Sequence, residues 1–182
     1  MRETEHIFAE GIADGRIKPM KRDYVVGDAL DDFIQGLNDA SPIRSAERYW
    51  RSLSSETRLP SHRDIDPIKI GPATLPHVAL IDVLRDDDTR FRYQLLGGAV
   101  IQIFAQDYTN RFIDKLGLGE VFDRISGFYG TVCVGRQTLL LDGAYERRKG
   151  SRFQFRRLAM PLADENDQVD TLFCIFEQLQ AV

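Results

Sequence analysis

Apolar residues recur at different spacings along this chain, and the changes in spacing mark its elements. "GDALDDFIQGLND" places Leu30, Phe33, Ile34 and Leu37 on one side of a helix, with Asp28 positioned to cap its start. "SPIRSAERYWRSL" repeats the pattern with Ile43, Ala46, Tyr49, Trp50 and Leu53. Ser41 is a good N-cap, and Pro42 suits the first helical position, where no backbone donor is needed. Four of the seven prolines then fall between Pro60 and Pro76. That density predicts an extended connector over "LPSHRDIDPIKIGPATLP", with one short helical turn at most.

From His77 the texture changes. "HVALIDVL" reads as a buried strand, "RDDDT" as a polar turn and "RFRYQLLG" as the hairpin partner. Phe91, Tyr93 and Leu95 alternate with Arg92 and Gln94 up to Gly97-Gly98, after which Val100, Ile101 and Phe104 share one side of a short helix. Short helical pieces continue through "FIDKL". Leu118, Val121, Phe122, Ile125, Phe128, Tyr129 and Val132, spaced by three and four, predict a longer helix over 118–134, with Gly135 just past its end. Three strands close the chain: "RQTLLLDG", "SRFQFRRLAMPL" and "DTLFCIFEQL". The middle one alternates in two phases, Phe153 and Phe155 against Leu158, Met160 and Leu162, which predicts a bulge or kink near Arg156-Arg157. Two strands, a run of helices and three strands imply an α+β domain. Its antiparallel sheet has five strands, with one face under the helices and the other left for something else. The expected division is a helical extension over 1–40, a flanking helix and proline-rich connector over 41–76, and the sheet domain over 77–182.

Composition narrows the function classes. With 182 residues and 43% hydrophobic content, one domain plus an extension is expected. A net charge of −4 argues against general nucleic-acid binding, which needs a basic surface. "MRETEHIFAEG" lacks the cationic start and apolar run of a signal peptide, and no stretch approaches the roughly 18 apolar residues of a membrane span. Cys133 and Cys174 lie in apolar surroundings without metal-type spacing and read as buried thiols in a reducing compartment, so the cytoplasm is the expected location.

The candidate chemistry is sparse. Gly97-Gly98 between strand and helix could cradle a phosphate, line a cofactor pocket or only reverse the chain; the GxGxxG and GxxxxGK[ST] patterns are absent. In "HRDID", His62, Asp64 and Asp66 could ligate a metal, but the calcium-loop glycine and distal glutamate are missing and Asp66-Pro67 also reads as a helix cap. Arg147, Arg148, Lys149, Arg152, Arg156 and Arg157 crowd into one segment, either a solvated hairpin arm or a face for an anionic ligand or acidic partner. GxSxG, HExxH and CxxC are all absent, so no catalytic residue and no metal ligand is assigned.

"YWRSL" at 49–53, "LPSHRDIDPIKI" at 59–70, "LPHVALIDV" at 75–83 and "FRYQLLGG" at 91–98 form an ordered set with "QDYTNRFIDKL" at 106–116, "FYGTVCVGRQTLLL" at 128–141 and "RLAMPLA" at 157–163. In this order the chain, from about residue 45, resembles PAS domain family 5, found mostly as small alphaproteobacterial proteins. Where that family usually has a "GRDLTGR"-like segment this chain reads "AQDYTNR", so Ala105 and Asn110 stand in place of glycines. The resemblance implies a PAS fold in which short helices roof a cavity, the long helix forms one wall and the sheet the other. Tyr93 and Leu95, with Phe91, would face that space, Phe104, Tyr108 and Phe112 would line its mouth, and Ile125, Phe128, Tyr129 and Met160 would close it; the same residues could equally fill a solid core. A Tyr93 or Tyr129 hydroxyl could orient a ligand. Haem-binding PAS domains place a histidine on or near the long helix, whereas this chain has only His6, His62 and His77. Neither cysteine has the polar neighbourhood of a flavin-adduct site. No cofactor is therefore expected. The resemblance implies a sensory or regulatory protein that binds a small, mostly apolar or aromatic metabolite and signals to a protein partner. A homodimer through the N-terminal helices is expected as well, without nucleic acid or membrane. A ligand-free interaction module and an enzyme on an α+β fold are the alternatives.

Overall fold

The computed structural model describes residues 6–8, 15–16, 21–147 and 152–179. The central sheet is antiparallel, in the order β2-β6-β7-β8-β4-β5. Its five long strands are β4 (Val78–Arg85), β5 (Thr89–Leu96), β6 (Leu139–Arg147), β7 (Arg152–Ala163) and β8 (Val169–Leu179), and the two-residue β2 (Gly15–Arg16) extends the β6 edge. β1 (His6–Phe8) pairs with β3 (Lys21–Asp23), so the helical part of the first forty residues begins only at α1 (Gly27–Gln35). α2 (Pro42–Leu53) and the one-turn α3 (Pro67–Ile70) follow; α4 (Gly98–Phe104) and α5 (Glu120–Gly135) stand between the two groups of strands.

Helices cover both faces of the sheet. On the inner face, α4, the turn at Ile113–Lys115 and α5 pack against Ala79, Ile81, Phe91, Tyr93, Leu139, Phe155 and Phe176. On the outer face, Leu30, Ile34, Ile43, Ala46 and Trp50 bury against Leu80, Leu158, Met160, Leu162, Phe173 and Ile175. The apolar stripe expected to recruit a second copy therefore lies against the chain's own sheet: Leu30 and Ile34 are buried there, with Phe33 and Leu37 packed beside them. The Trp50 indole N–H donates to the Pro161 carbonyl at 3.0 Å and pins α2 to β7. Ser41 holds the N-cap position of α2, but its hydroxyl points at the Glu177 carboxylate (3.4 Å) rather than at the helix.

Two-sided burial also explains the double phase of β7. Phe155, Arg157 and Ala159 face inward while Leu158, Met160 and Leu162 face outward, and pairing runs without a break from Arg152 to Leu162. The bulge expected at Arg156-Arg157 is absent, and the irregularity sits at Leu162/Ala163. Phe155 lies across Gly143, its partner on β6; a Cβ there would meet the ring at 2.5 Å.

Gly97-Gly98 is a chain reversal. The Gly97 N–H donates to the Val78 carbonyl at 2.8 Å, and a Cβ on Gly97 would stand 2.3 Å from the Pro76 carbonyl oxygen. Ala105 and Asn110 adopt φ 58° and 63°, the left-handed conformation that glycine favours, so the segment keeps a glycine-type path without glycine. Beyond it, Asn110 and Arg111 hydrogen-bond to the backbone of Tyr93 and cover the open edge of β5.

Candidate functional site

Inward-facing residues of the sheet meet α4 and α5 in a layer of aromatic rings. Phe91 lies 5.4 Å from Tyr129, Phe128 5.5 Å from Tyr129, and Tyr93 5.6 Å from Phe104. Phe104 meets Phe176 edge-on at 5.3 Å and Tyr108 at 6.1 Å. Centroid separations of this size are typical of attractive aromatic pairs.

One charge stands inside this layer. Strand alternation sends Arg157 inward, where it is 3% exposed. Its Cζ lies 5.0 Å from the Phe176 ring, 5.4 Å from Tyr129, 5.6 Å from Phe128 and 5.7 Å from Phe155. Nη1 donates to the Tyr129 hydroxyl at 3.0 Å, and the buried Tyr93 phenol stands near enough to feel both groups. The buried Nε has no hydrogen-bond partner. Burial pushes the Tyr93 phenol up to about 12 and holds Tyr129 well above the usual phenol range, although Arg157 acts in the opposite sense on both. Burial likewise raises the nearby Cys174 thiol to about 12 and that of Cys133, on α5, to about 11. These groups therefore stay neutral at ordinary pH and supply no counter-charge.

The expected site residues divide. Tyr93, Phe104, Tyr108, Ile125, Phe128 and Tyr129 all lie in the inner layer. Three do not. Leu95 is 44% exposed because β5 carries an extra residue at Gln94: Tyr93 faces Ile81, Leu95 faces Leu80, and Leu96 takes the inward place opposite Ala79. Met160 is buried on the outer face beneath the N-terminal helices, since strand alternation opposes it to Ala159. Phe112 is half-buried outside the layer, with the Arg90 guanidinium 3.9 Å above its ring.

Arg157 itself was missed as a site residue. The basic segment reads as one arm, yet Arg156 and Arg157 point to opposite faces. Arg156 forms a bidentate pair with Asp142 (2.7 and 3.1 Å) and lies over the Phe33 ring at 4.5 Å. Arg148 and Lys149 lie outside the described residues, as do the side chains of Arg147 and Arg152. The signal that could have singled out Arg157 is its shared parity with Phe155 and Ala159.

The "HRDID" carboxylates act as caps. Asp64 accepts the Ser61 N–H and hydroxyl at 2.8 and 2.9 Å, which lowers its pKa, and Asp66 accepts the Ile68 N–H at 2.9 Å. Among the described residues, no three His, Cys, Asp or Glu side chains are grouped to hold a metal. The His77 ring meets the Phe176 carbonyl through Nδ1 at 2.8 Å. A surface cleft of about 840 Å³ opens between the 57–64 connector and the β7–β8 hairpin, lined by Arg58, His62, Arg63, Asp164, Glu165 and Asp167 among others. None of the aromatic layer borders it.

The family model PAS_5, described as a PAS domain, matches residues 38–176. The chain belongs to the PAS domain family. It is a PAS-fold domain of the sensory or signalling kind. The match begins before α2, so the family region includes helix and connector that cover the outer face as well as the sheet. Solved structures with a similar fold include a fungal LOV domain photoreceptor, at 14% identity and TM-score 0.45 over 82% of this chain and 99% of that one. The light state of the blue-light photoreceptor Aureochrome1 LOV aligns at 9% identity and TM-score 0.42, covering 63% and 90%. The PAS domain of an HTR-like protein from Haloarcula marismortui aligns at 21% identity and TM-score 0.34, covering 56% and 81%. Likenesses this distant say nothing of function. No curated protein is similar enough to count as a relative. No helix among the described residues of this PAS protein is long and apolar enough to cross a membrane.

Proposed function

We propose that this PAS protein is a sensory or regulatory module that binds a small, mostly apolar molecule between the inner face of the sheet and the α4–α5 layer. Occupancy would reach a protein partner through the helices on the outer face. The observation that carries the reading is the polar cluster of Arg157, Tyr129 and Tyr93 inside an otherwise aromatic layer. A core built only for stability gains little from a cation there, because burying a charge costs several kcal/mol and apolar substitutes are often better.

The output route rests on strand alternation. Arg157 faces the inner layer, while its neighbour Arg156 holds Asp142 and the Phe33 ring on the outer side. Phe176 packs on Arg157, while its neighbour Glu177 meets Ser41 at the start of α2. A small displacement of β7 and β8 would thus be felt by both outer helices, at Phe33 on α1 and at Ser41, the N-cap of α2. The tight ring packing favours the second reading, a ligand-free interaction module.

Native mass spectrometry of the freshly purified full chain separates the two. The sensor reading expects a small-molecule adduct that is lost on denaturation. It also expects the emission of Trp50, the single tryptophan, to change when the adduct is removed. A bare chain mass, with Trp50 emission unmoved by metabolite mixtures, would overturn ligand sensing and leave the interaction module.

A further inference from the structure

Buried cations in proteins are compensated by an anion, and Arg157 has none among the described residues. The nearest carboxylates along the strands point the other way: Asp142, beside Leu141, is held by Arg156, and Glu177, beside Phe176, faces Ser41. The groups that do share its face are Tyr93, Tyr129 and Cys174, which burial keeps protonated. One edge of the guanidinium is engaged, since Nη1 is bonded to Tyr129. The other side carries the Nε donor, buried and without an acceptor.

We infer that Arg157 is the anchor for a ligand carboxylate, and that the molecule sensed is a small monocarboxylic acid with an apolar or aromatic body. This rests on the ligand-binding reading above and deepens it. Three features choose the class. A single buried positive charge is balanced by a single negative one, which favours a carboxylate over a phosphate dianion. The planar donor edge of arginine matches the two oxygens of a carboxylate. The surrounding walls, Phe128, Phe155 and Phe176 with Tyr129, offer apolar surface and ring faces to the remainder of the molecule and little that would solvate a second charge.

Entry would be through the roof formed by α4 and the turn at Ile113–Lys115. That segment is short, and its two helical pieces are joined through the left-handed residues Ala105 and Asn110. Sheet strands cannot part as readily, because each interior strand is hydrogen-bonded on both sides.

The test compares acids with their uncharged amides on the full chain. Melting curves are taken with hexanoate, phenylacetate, hexanamide, phenylacetamide and inorganic phosphate. The inference expects an upward shift with one or both acids and none with the amides or phosphate. Arg157→Met should abolish the acid-dependent shift while melting no lower than the unliganded wild type, because it removes an uncompensated charge. Arg157→Lys, which keeps the charge without the fork, should weaken binding by about tenfold or more. If Arg157→Met fails to fold, the acid–amide comparison on the wild type decides alone. Equal shifts with acid and amide would overturn carboxylate recognition and leave ligand binding intact. So would a neutral molecule released from the purified protein on denaturation. No shift with any compound, together with a bare native mass, would overturn the sensor reading and this inference together.

Discussion

Replacing Gly97 and Gly98 separately by alanine tests the turn that launches the roof. At Gly97 the new Cβ would stand 2.3 Å from the Pro76 carbonyl oxygen, 2.6 Å from its carbon and 2.7 Å from the Leu75 oxygen. All three are backbone atoms of the turn that feeds β4, so no side chain can swing away. Reaching an ordinary contact of 3.4 Å requires a displacement of about 1 Å. That movement pulls on the Gly97 N–H bond to Val78, now 2.8 Å, whose loss costs about 0.5–1.5 kcal/mol. Overpacking against backbone adds about 1–3 kcal/mol. Gly97→Ala should therefore destabilise by about 2–4 kcal/mol. Gly98 is the contrast: it is already helical, and nothing lies within 4 Å of its would-be Cβ. Gly98→Ala should stabilise by about 0.5–1 kcal/mol, through a less flexible unfolded chain. Urea denaturation followed by far-UV circular dichroism gives both values. Two variants within 0.5 kcal/mol of each other, or a Gly97→Ala protein as stable as the wild type, would refute the close-approach argument.

Ala105→Gly should stabilise by about 0.5–1 kcal/mol in the same assay, because relief of the left-handed alanine exceeds the entropy glycine adds to the unfolded chain. Trp50→Phe keeps most of the apolar burial but leaves the Pro161 carbonyl without its donor; a loss of about 1 kcal/mol is expected from melting curves. Alkali should destabilise the fold. Below pH 9 the Cys174 thiol and Tyr93 phenol are protonated in both states and add no pH dependence. Above it the unfolded chain releases these protons first, at 9.0 and 10.0, while the folded groups hold on to about 12. Stability should then fall by roughly 1.4 kcal/mol per pH unit per group, and Cys174→Ala should about halve the fall between pH 9 and pH 10, where the Cys133 thiol, raised from 9.0 to about 11, still contributes. Urea midpoints between pH 8 and 11 check the sign and the onset. The freshly purified protein should be colourless, since α5 carries no histidine and neither cysteine stands on α4 or the turn at Ile113–Lys115; a visible absorption band would contradict this.

What the sequence determined alone is what depends on near neighbours along the chain. The three- and four-residue spacing of Leu30 and Ile34, of Ile43, Ala46 and Trp50, and of Ile125, Phe128 and Val132 reports helices, because the side chains of each set share one face of a single helix. The hairpin of β4 and β5, the three closing strands and the Asp66 cap are local in the same sense. Six of the nine expected site residues fell in the inner layer for that reason. The tertiary structure decided what covers each face. Periodicity shows that Leu158 and Met160 share one side of β7 and Phe155 and Arg157 the other, but both sides are buried only because α1 and α2 return from far upstream to dock on the sheet. Leu95 lost its inward place to a pairing shift with β4, which no spacing within β5 reveals. Arg157 is buried because α5 and β8 close around it with Phe128, Tyr129 and Phe176, while Arg156 one residue earlier finds Asp142 on the opposite face. A strand's alternation assigns its residues to two sides; which side becomes core, and which charge is left there without a partner, follows from long-range packing.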